Sequence, residues 1–275
     1  MNFIASNSSH NELLSLLPPA ELERLRPHLT RMQLVNGQNL HEAGERIDQV
    51  FFVEAGFVSM VAEASGDDTS TEVGLIGREG MMGLPALLSS RPVSFDRAMV
   101  QMPGTAQRMT VDALRDSLDA LPVLRQLLLQ ALEAFMAQVS QTAACNSRHN
   151  LTQRLARWLL MARDRVDGDE LALTQEFLSK MLAVRRSGVT VALQSLRSTG
   201  VISQGRGRIL ICDRPGLEAA SCGCYGRVRA FAEAVAARGS PDLPGCNPAA
   251  VASVGLLKAA KGKPEDTAQN EISPL

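Results

Sequence analysis

Aromatic residues are scarce in this chain: they make up 4 % of its 275 residues, with a single tryptophan. Leucine, valine, alanine and methionine must therefore fill the core that an apolar content of 45 % permits. No apolar run approaches the roughly 18 to 20 residues of a membrane-spanning helix. The first residues (MNFI) also lack the basic and apolar regions of a signal peptide. We expect no membrane partner and a cytoplasmic location.

Cysteine is also sparse, with five residues and none before Cys145. An odd, scattered set fits a reducing cytoplasm better than a disulfide framework. Cys222 and Cys224 form a C-x-C pair, but Cys212 and Cys246 are distant and no histidine is near them in the sequence. Such a pair is weak support for a metal site, so unpaired thiols are favoured and no metal or cofactor is predicted.

Motifs of catalysis are missing as well. The chain has no P-loop, no Gly-x-Ser-x-Gly, no metal triad and no paired acid and base, so it is not predicted to be an enzyme. Histidine offers little more: the sequence has four, and each is interpreted as an ordinary surface residue rather than a haem ligand. They are His10, His28, His41 and His149.

The near-zero net charge hides an uneven distribution. Residues 1–120 contain 16 acidic and 9 basic side chains, a balance of −7. Residues 175–210 contain 6 basic side chains and one acidic side chain, a balance of +5. A basic segment in an otherwise acidic chain indicates a nucleic-acid-binding surface.

Periodicity divides the chain into a strand-rich and a helical half. Residues 11–30 favour short helices broken at Pro18 and Pro19. Between residues 32 and 108, short β-type runs such as 50–53 and 56–61 alternate with glycine turns, which is typical of an antiparallel sandwich or barrel. Residues 239–275 are rich in small and charged residues and are expected to be a disordered tail.

Helical periodicity begins at Thr110, a candidate N-cap with Asp112 in the first turn. A long apolar helix follows Pro122, and a further helix is predicted over residues 151–166. In the long helix, apolar residues at spacings of 4, 3 and 4 form a coiled-coil-like stripe that is a candidate dimer contact. An ordinary core helix explains the stripe equally well. The residues of the stripe are Leu128, Leu132, Phe135 and Val139.

Residues 174–199 predict a helix-turn-helix. Thr174 can cap the first helix, and a second helix begins near Arg185 and ends at Gly200. In this motif the first residues of the second helix face base edges in the major groove. Arginine there can make two hydrogen bonds to guanine. The residues predicted to read bases are Arg185, Arg186, Ser187 and Thr190.

A basic hairpin is predicted directly after the second helix, over residues 201–211. Two strand-like runs enclose a Gly-Arg-Gly turn, in the manner of the wing of a winged helix. Arg206 and Arg208 are suited to phosphate contacts, which set affinity more than sequence preference.

The layout over residues 11–235 resembles the Crp/Fnr family of bacterial regulators, most strongly over residues 174–202. The resemblance implies an α+β fold: an antiparallel β-roll like that of cyclic-nucleotide-binding domains at 11–121, a dimerisation helix at 122–146 and a winged helix-turn-helix domain at 147–238. It also implies a homodimer on double-stranded DNA, with RNA polymerase as a further candidate partner and an effector of unknown identity.

One departure concerns the effector. By the resemblance, Gly83, Arg97 and Ala98 stand where responsive relatives hold a cyclic nucleotide. However, Leu84 stands where those relatives place a ribose-binding glutamate, and Asp96 adds a negative charge beside the phosphate position. Cyclic AMP is therefore not the expected effector, and Arg97 is as well explained by a structural salt bridge.

The sequence thus favours a DNA-binding transcription regulator. The alternative is a cyclic-nucleotide-responsive signalling module that acts on a protein partner. The basic wing argues against this alternative, because such a module has no use for a phosphate-binding hairpin.

Overall fold

The structure is a computed structural model, and it describes residues 9–63 and 70–238 of the chain. The tail predicted at 239–275, which includes Cys246, lies outside these residues. The described part contains helices and two antiparallel sheets, as the sequence predicted.

The N-terminal half is built around a six-stranded antiparallel sheet in which the order β1-β6-β3-β4 forms the main path. The short strand β2 pairs with β6, and β5 pairs with β3. The strands are β1 (Thr30–Leu34), β2 (Asn39–His41), β3 (Gln49–Glu63), β4 (Ser70–Ile76), β5 (Met81–Met82) and β6 (Arg97–Thr110).

Strand β3 corrects the prediction of two separate strands at residues 50–53 and 56–61. The chain does not turn between them; the pairing with β6 shifts register around Ala55 instead. Gly56 has φ +75°, and a Cβ there would clash with the carbonyl oxygen of Met102. This glycine therefore marks a bulge against a neighbouring backbone and not the end of a strand.

Short helices flank this sheet. The helical segment is broken at the two prolines, as predicted: α1 (Glu12–Ser15) ends before Pro18, and α2 (Pro19–Leu25) begins with Pro19. The Thr110 hydroxyl accepts a hydrogen bond from the Ala113 N–H at 3.2 Å and caps α3 (Val111–Leu118). The long helix α4 (Pro122–Arg148) then begins with its proline in the first turn.

Helix α4 lies with one side against its own sheet. The Gln138 side chain accepts a hydrogen bond from the Leu75 N–H at 2.9 Å and donates one to the Leu75 carbonyl oxygen at 3.0 Å. Phe135 packs so tightly on strand β4 that a Cβ on Gly74 would lie 2.7 Å from its ring. Part of the predicted apolar stripe therefore packs within the subunit.

Leu128 of the apolar stripe is fully buried in the core of the N-terminal half. The prediction that Leu128 contacts a second subunit is wrong, since no surface of its side chain remains. Leu132, Phe135 and Val139 are half-buried. The large apolar side chains that α4 exposes are Leu129 and Met136.

The C-terminal half is a helical unit with a small sheet of order β7-β9-β8. Its first helix, α5, begins after an Asn150 cap, and its residues 155–162 are all buried. The elements are α5 (Leu151–Arg163), β7 (Glu170–Leu171), α6 (Gln175–Met181), α7 (Arg186–Ser198), β8 (Ile202–Gly205), β9 (Arg208–Ile211), α8 (Arg214–Ala220) and α9 (Cys224–Ala237).

Two large apolar clusters fill the molecule. One lies between the sheet, α1 and the first half of α4, and the other fills the C-terminal half. Phe57 and Leu75 come from the large sheet but belong to the second cluster, so the two halves share apolar contacts.

Among the described residues, no single helix has the length and apolar composition of a membrane span. Helices α3 and α4 satisfy that test only when taken together, and the chain bends by 118° between them.

Candidate nucleic-acid interface

The predicted helix-turn-helix is present as helices α6 and α7. The Thr174 hydroxyl accepts a hydrogen bond from the Phe177 N–H at 3.1 Å and caps α6. Gly200, with φ +75°, follows the C-cap of α7 in the left-handed conformation that ends many helices. The motif thus begins and ends where the sequence placed it.

Helix α7 is held by one apolar face. Val189, Leu193 and Leu196 are at most 2 % exposed and pack with Leu178 of α6 in the second apolar cluster. Their spacing of 4 and 3 residues puts them on one side of the helix and leaves the other side to solvent.

The turn between α6 and α7 spans residues 182–185. Leu182 is buried and Ala183 is exposed with φ +51°, a left-handed conformation that L residues other than glycine rarely adopt. The Val184 N–H donates to the Ser179 carbonyl oxygen at 2.9 Å and closes the turn on α6. This geometry directs the chain into α7 and places Arg185 at its N-cap.

Arg185, Arg186 and Ser187 are exposed at the N-terminus of α7. Among the described residues, no carboxylate lies within ion-pair distance of either arginine, so both charges are unneutralised. The Thr190 hydroxyl, one turn further on, contacts the Gln175 side-chain oxygen at 2.9 Å and the Arg186 carbonyl oxygen at 3.1 Å. Thr190 is exposed but already engaged.

The predicted wing is the hairpin of β8 and β9, and Gly207 in its turn has φ +70°. Sequence reasoning missed its third strand, β7, which pairs with β9 through Leu171. Arg206 is exposed at the turn, and no ion pair holds it within the described part of the chain. Arg208 forms a 3.5 Å ion pair with Glu170. An exposed pair of this kind is worth less than about 1 kcal/mol, so it leaves Arg208 able to exchange partners.

The residues at the predicted nucleotide position are packed into the protein. Leu84 is 4 % exposed and Ala98 is fully buried, both within the apolar cluster of the sheet. Gly83 has φ +95°, and a Cβ there would lie 2.8 Å from Val50. Arg97 forms a 3.5 Å ion pair with Glu63, in line with the salt-bridge interpretation of this residue.

A polar contact between the two halves was not predicted. Glu72 of β4 is buried and accepts hydrogen bonds from Ser59 Oγ at 2.6 Å and from Trp158 Nε1 of α5 at 2.7 Å. Burial raises the pKa of Glu72 to about 7, although both hydrogen bonds and the charges of Arg165 and Arg157 act in the opposite direction. A carboxyl group that titrates near neutral pH therefore lies between the sheet and the C-terminal half.

The histidine predictions need two corrections. His41 is buried, and its ring nitrogen Nε2 lies 2.9 Å from the Gln49 carbonyl oxygen; burial lowers the pKa of its imidazole. His149 lies beside the C-x-C pair, with its Nδ1 3.5 Å from the sulfur of Cys224. The assumption that no histidine is near Cys222 and Cys224 is therefore wrong, because the fold brings together residues far apart in the chain.

Comparison with known proteins gives the class of the C-terminal half. Residues 153–220 match the model of the Crp-like helix-turn-helix domain. The matched segment runs from α5 through both helices of the motif and the wing to the end of α8, so it includes every residue that the sequence predicted to contact DNA.

Solved structures match about 70 % of this chain and nearly the whole of their own chains. FixK2 from Bradyrhizobium japonicum aligns with a TM-score of 0.60 and 17 % identity, over 70 % of this chain and 98 % of FixK2. CLP from Xanthomonas campestris, described as a c-di-GMP-responsive global regulator, aligns with a TM-score of 0.58 and 16 % identity, over 70 % and 99 % of the two chains. A CRP-family transcriptional regulator from Thermus thermophilus aligns with a TM-score of 0.57 and 20 % identity, over 69 % and 96 %. No curated protein sequence matches the chain.

The chain therefore has the fold of a Crp/Fnr-type transcription regulator, with a Crp-like helix-turn-helix domain in its C-terminal half. The resemblance and the fold class predicted from the sequence are confirmed.

Proposed function

We propose that this protein is a sequence-specific DNA-binding transcription regulator that binds inverted-repeat sites as a homodimer. The observation that carries the proposal is the pair Arg185 and Arg186, exposed and without ion-pair partners at the start of α7. Arginines at this position can hydrogen-bond to guanine in the major groove. Ser187 and Thr190 lie on the same turns, and Arg206 and Arg208 of the wing would contact phosphates.

The homodimer would form along α4. Leu129 and Met136 are 48 % and 60 % exposed and stand seven residues apart, the heptad spacing of a helix-helix seam. The outer edges of the half-buried Leu132, Phe135 and Val139 flank this line. We retain the division into a sensor domain at 11–121, a dimerisation helix at 122–146 and a DNA-binding domain at 147–238, which the two apolar clusters support.

Selection of bound DNA from a random pool, using the purified full-length protein, should return a site with inverted symmetry. Two recognition helices related by a two-fold axis read half-sites about one helical turn, roughly 34 Å, apart or a multiple of that. Arg186→Ala should lose about 1 to 3 kcal/mol of binding free energy and relax the preference at one base position. Arg206→Ala should weaken all sequences alike and reduce the dependence of binding on salt.

Arg197→Ala is the matched control, because Arg197 is equally exposed but lies in the last turn of α7. Eleven residues of helix place it about 16 Å from Arg186, so its loss should leave the selected sequence unchanged. A protein that is monomeric at micromolar concentration, or a selected site without inverted symmetry, would contradict the proposal.

Cyclic AMP should bind weakly or not at all, and DNA binding should not require it. Leu84 offers no acceptor for the ribose hydroxyls, and a missing buried hydrogen-bond partner costs about 1 to 3 kcal/mol. Since about 1.4 kcal/mol is tenfold in affinity, the loss is roughly five- to a hundredfold. Arg97 must also leave Glu63 before it can hold a phosphate.

Calorimetric titration with cyclic AMP and cyclic GMP, alongside DNA-binding assays with each nucleotide, measures this directly. Cyclic di-GMP belongs in the same series, because CLP has this fold and is described as responsive to it. Micromolar binding of cyclic AMP with a large gain in DNA affinity would show that the nucleotide site around Gly83 and Arg97 works.

The remaining parts of the proposal follow from the class of protein. A DNA-binding regulator acts in the cytoplasm, and RNA polymerase is its candidate protein partner. The proposal assigns no catalytic step to the chain, which is in keeping with the Crp-like helix-turn-helix match at residues 153–220.

A further inference from the structure

Four potential metal ligands meet where the end of α4 lies beside the start of α9. Cys145 lies in the last turn of α4 and His149 one turn later, while Cys222 and Cys224 stand at the start of α9. Their ligand atoms all lie within 4.8 Å of one another. The Cys145 and Cys222 sulfurs are 3.4 Å apart, and the Cys224 sulfur is 3.5 Å from His149 Nδ1.

These separations fit one tetrahedral ion. Zinc bonds of about 2.3 Å to sulfur and 2.0 to 2.1 Å to nitrogen imply edges of roughly 3.8 Å between sulfurs and 3.6 Å from sulfur to nitrogen. The observed distances of 3.4 and 3.5 Å lie close to both values. Three thiolates and one imidazole form a ligand set of structural zinc sites, whereas magnesium and calcium require oxygen ligands.

We propose that Cys145, His149, Cys222 and Cys224, here called the cysteine–histidine cluster, bind one Zn²⁺ ion per chain. Binding forms three zinc–sulfur bonds and one zinc–nitrogen bond, and the three thiols release their protons to solvent while the imidazole binds in its neutral form. Two positive charges against three thiolates leave the complex with one net negative charge. No electron is transferred.

Arg157 of α5 supplies a matching positive charge. It is 4 % exposed, its Nε has no hydrogen-bond partner, and Nη2 donates to Thr142 at 2.9 Å. No carboxylate of the described residues lies within ion-pair distance of this buried guanidinium, an arrangement that is costly without a nearby anion. Burial raises the pKa of Cys145, and the charge of Arg157 opposes that rise, so the guanidinium favours the thiolate that the metal needs.

The surroundings of the sulfurs argue against reactive thiols. Burial raises the pKa of the Cys145 and Cys224 thiols, which disfavours a free thiolate at either residue. The Gln141 amide donates a hydrogen bond to the Cys224 sulfur at 3.0 Å. Contacts of this kind orient ligands and stabilise the charge on a bound thiolate.

The ion would link α4 to α9 beside the short connection between α4 and α5. Helix α4 ends at Arg148 and α5 begins at Leu151, so the chain passes from the central helix to the DNA-binding half within two residues, one of which is His149. With Cys222 and Cys224 bound to the same ion, the start of α9 would be fixed to the end of α4. This zinc would therefore set the connection between the two halves, whatever the effector is.

The test begins with the full-length protein, purified under reducing conditions without chelators and examined by elemental analysis. We expect about one zinc ion per chain, as for a closed structural site. Cys145→Ser and Cys222→Ser should lose the zinc. Cys212→Ser should keep it, because Cys212 is exposed and outside the cysteine–histidine cluster.

Cobalt provides a readout that does not depend on the variants folding. After zinc is removed with a strong chelator, adding Co²⁺ to the wild-type chain should produce the intense visible bands of tetrahedral cobalt with thiolate charge-transfer absorption. Zinc added afterwards should abolish these bands and raise the melting temperature. Three results would each overturn the proposal. They are a pale octahedral cobalt spectrum, zinc that persists in both serine variants, and a Cys145–Cys222 disulfide found by mass spectrometry of the purified chain.

Discussion

The stability of this protein should fall by about 3 kcal/mol as the pH rises from 4.5 to above 7, and Glu72→Gln should remove that loss. The pKa of Glu72 is about 7 in the fold against an ordinary value of 4.5. Below pH 4.5 the carboxyl group is protonated in both states. Between pH 4.5 and about pH 7 the carboxyl group is ionised in the unfolded chain and protonated in the folded chain. Each pH unit in this range therefore lowers the free energy of unfolding by about 1.4 kcal/mol. Above pH 7 the loss is complete.

Glutamine keeps the packing and cannot ionise. Its side-chain oxygen can accept from Trp158 Nε1 and its amide can donate to Ser59 Oγ, which replaces the two hydrogen bonds of the carboxyl group. Other groups titrate in the same range, so the informative quantity is the difference in unfolding free energy between wild type and variant at each pH. It should grow in favour of Glu72→Gln up to about pH 7 and then level off.

The single tryptophan offers a second measurement. Trp158 is the only tryptophan in the chain and donates its indole N–H to Glu72, so its fluorescence should titrate with a midpoint near pH 7. In Glu72→Gln the titration should disappear. A stability difference that does not change with pH, together with fluorescence that titrates in the glutamine variant, would show that Glu72 is not the group involved.

Most of the correct predictions were based on local patterns in the sequence. Thr174 and Gly200 mark helix ends through their own chemistry, and Val189, Leu193 and Leu196 identify a buried face by spacing alone. The helix-turn-helix could be located because these features lie within about 30 residues and require no knowledge of distant partners.

Patterns that depend on a partner were predicted less well. The apolar stripe on α4 showed which residues share a face but not what covers it. Leu128 is buried in the apolar core of the N-terminal half, and Phe135 packs on strand β4. Glycine is typical of turns, but whether Gly56 ends a strand or lies in a bulge within it depends on the pairing with β6, some 45 residues away.

Contacts between distant residues could not be read from the sequence at all. Trp158 and Glu72 are separated by 86 residues, and His149 and Cys224 by 75. Glu72 stands in a strand where alternating polar residues normally face water. Only the packing of α5 on the sheet makes its carboxyl group buried and titratable near pH 7.

Trp158→Ala should lower the free energy of unfolding by about 3 to 5 kcal/mol, the usual cost of truncating a buried aromatic side chain to alanine. Trp158 is 4 % exposed and makes edge contacts with Phe57 of β3 and Phe177 of α6, at ring-centroid distances of 6.3 and 5.7 Å. Its removal therefore leaves a cavity where the sheet meets the first helix of the helix-turn-helix. Denaturation followed by circular dichroism measures the loss, and Phe95→Ala is the control. Since Phe95 is 88 % exposed, that variant should change stability by no more than about 0.5 kcal/mol.

Trp158→Phe separates the hydrogen bond from the packing, because it retains an aromatic ring and removes the donor. The hydrogen bond from Trp158 lowers the pKa of Glu72, so its loss should raise that pKa above about 7. The cost of the substitution should then depend on pH: smaller near pH 5, where Glu72 is protonated in the fold, and larger by about 1 to 3 kcal/mol near pH 8, where a buried carboxylate lacks a donor. Unfolding free energies of wild type and Trp158→Phe at these two pH values measure the difference. An equal cost at both would mean that Trp158 stabilises the junction by packing alone and that its indole N–H does not control the charge of Glu72.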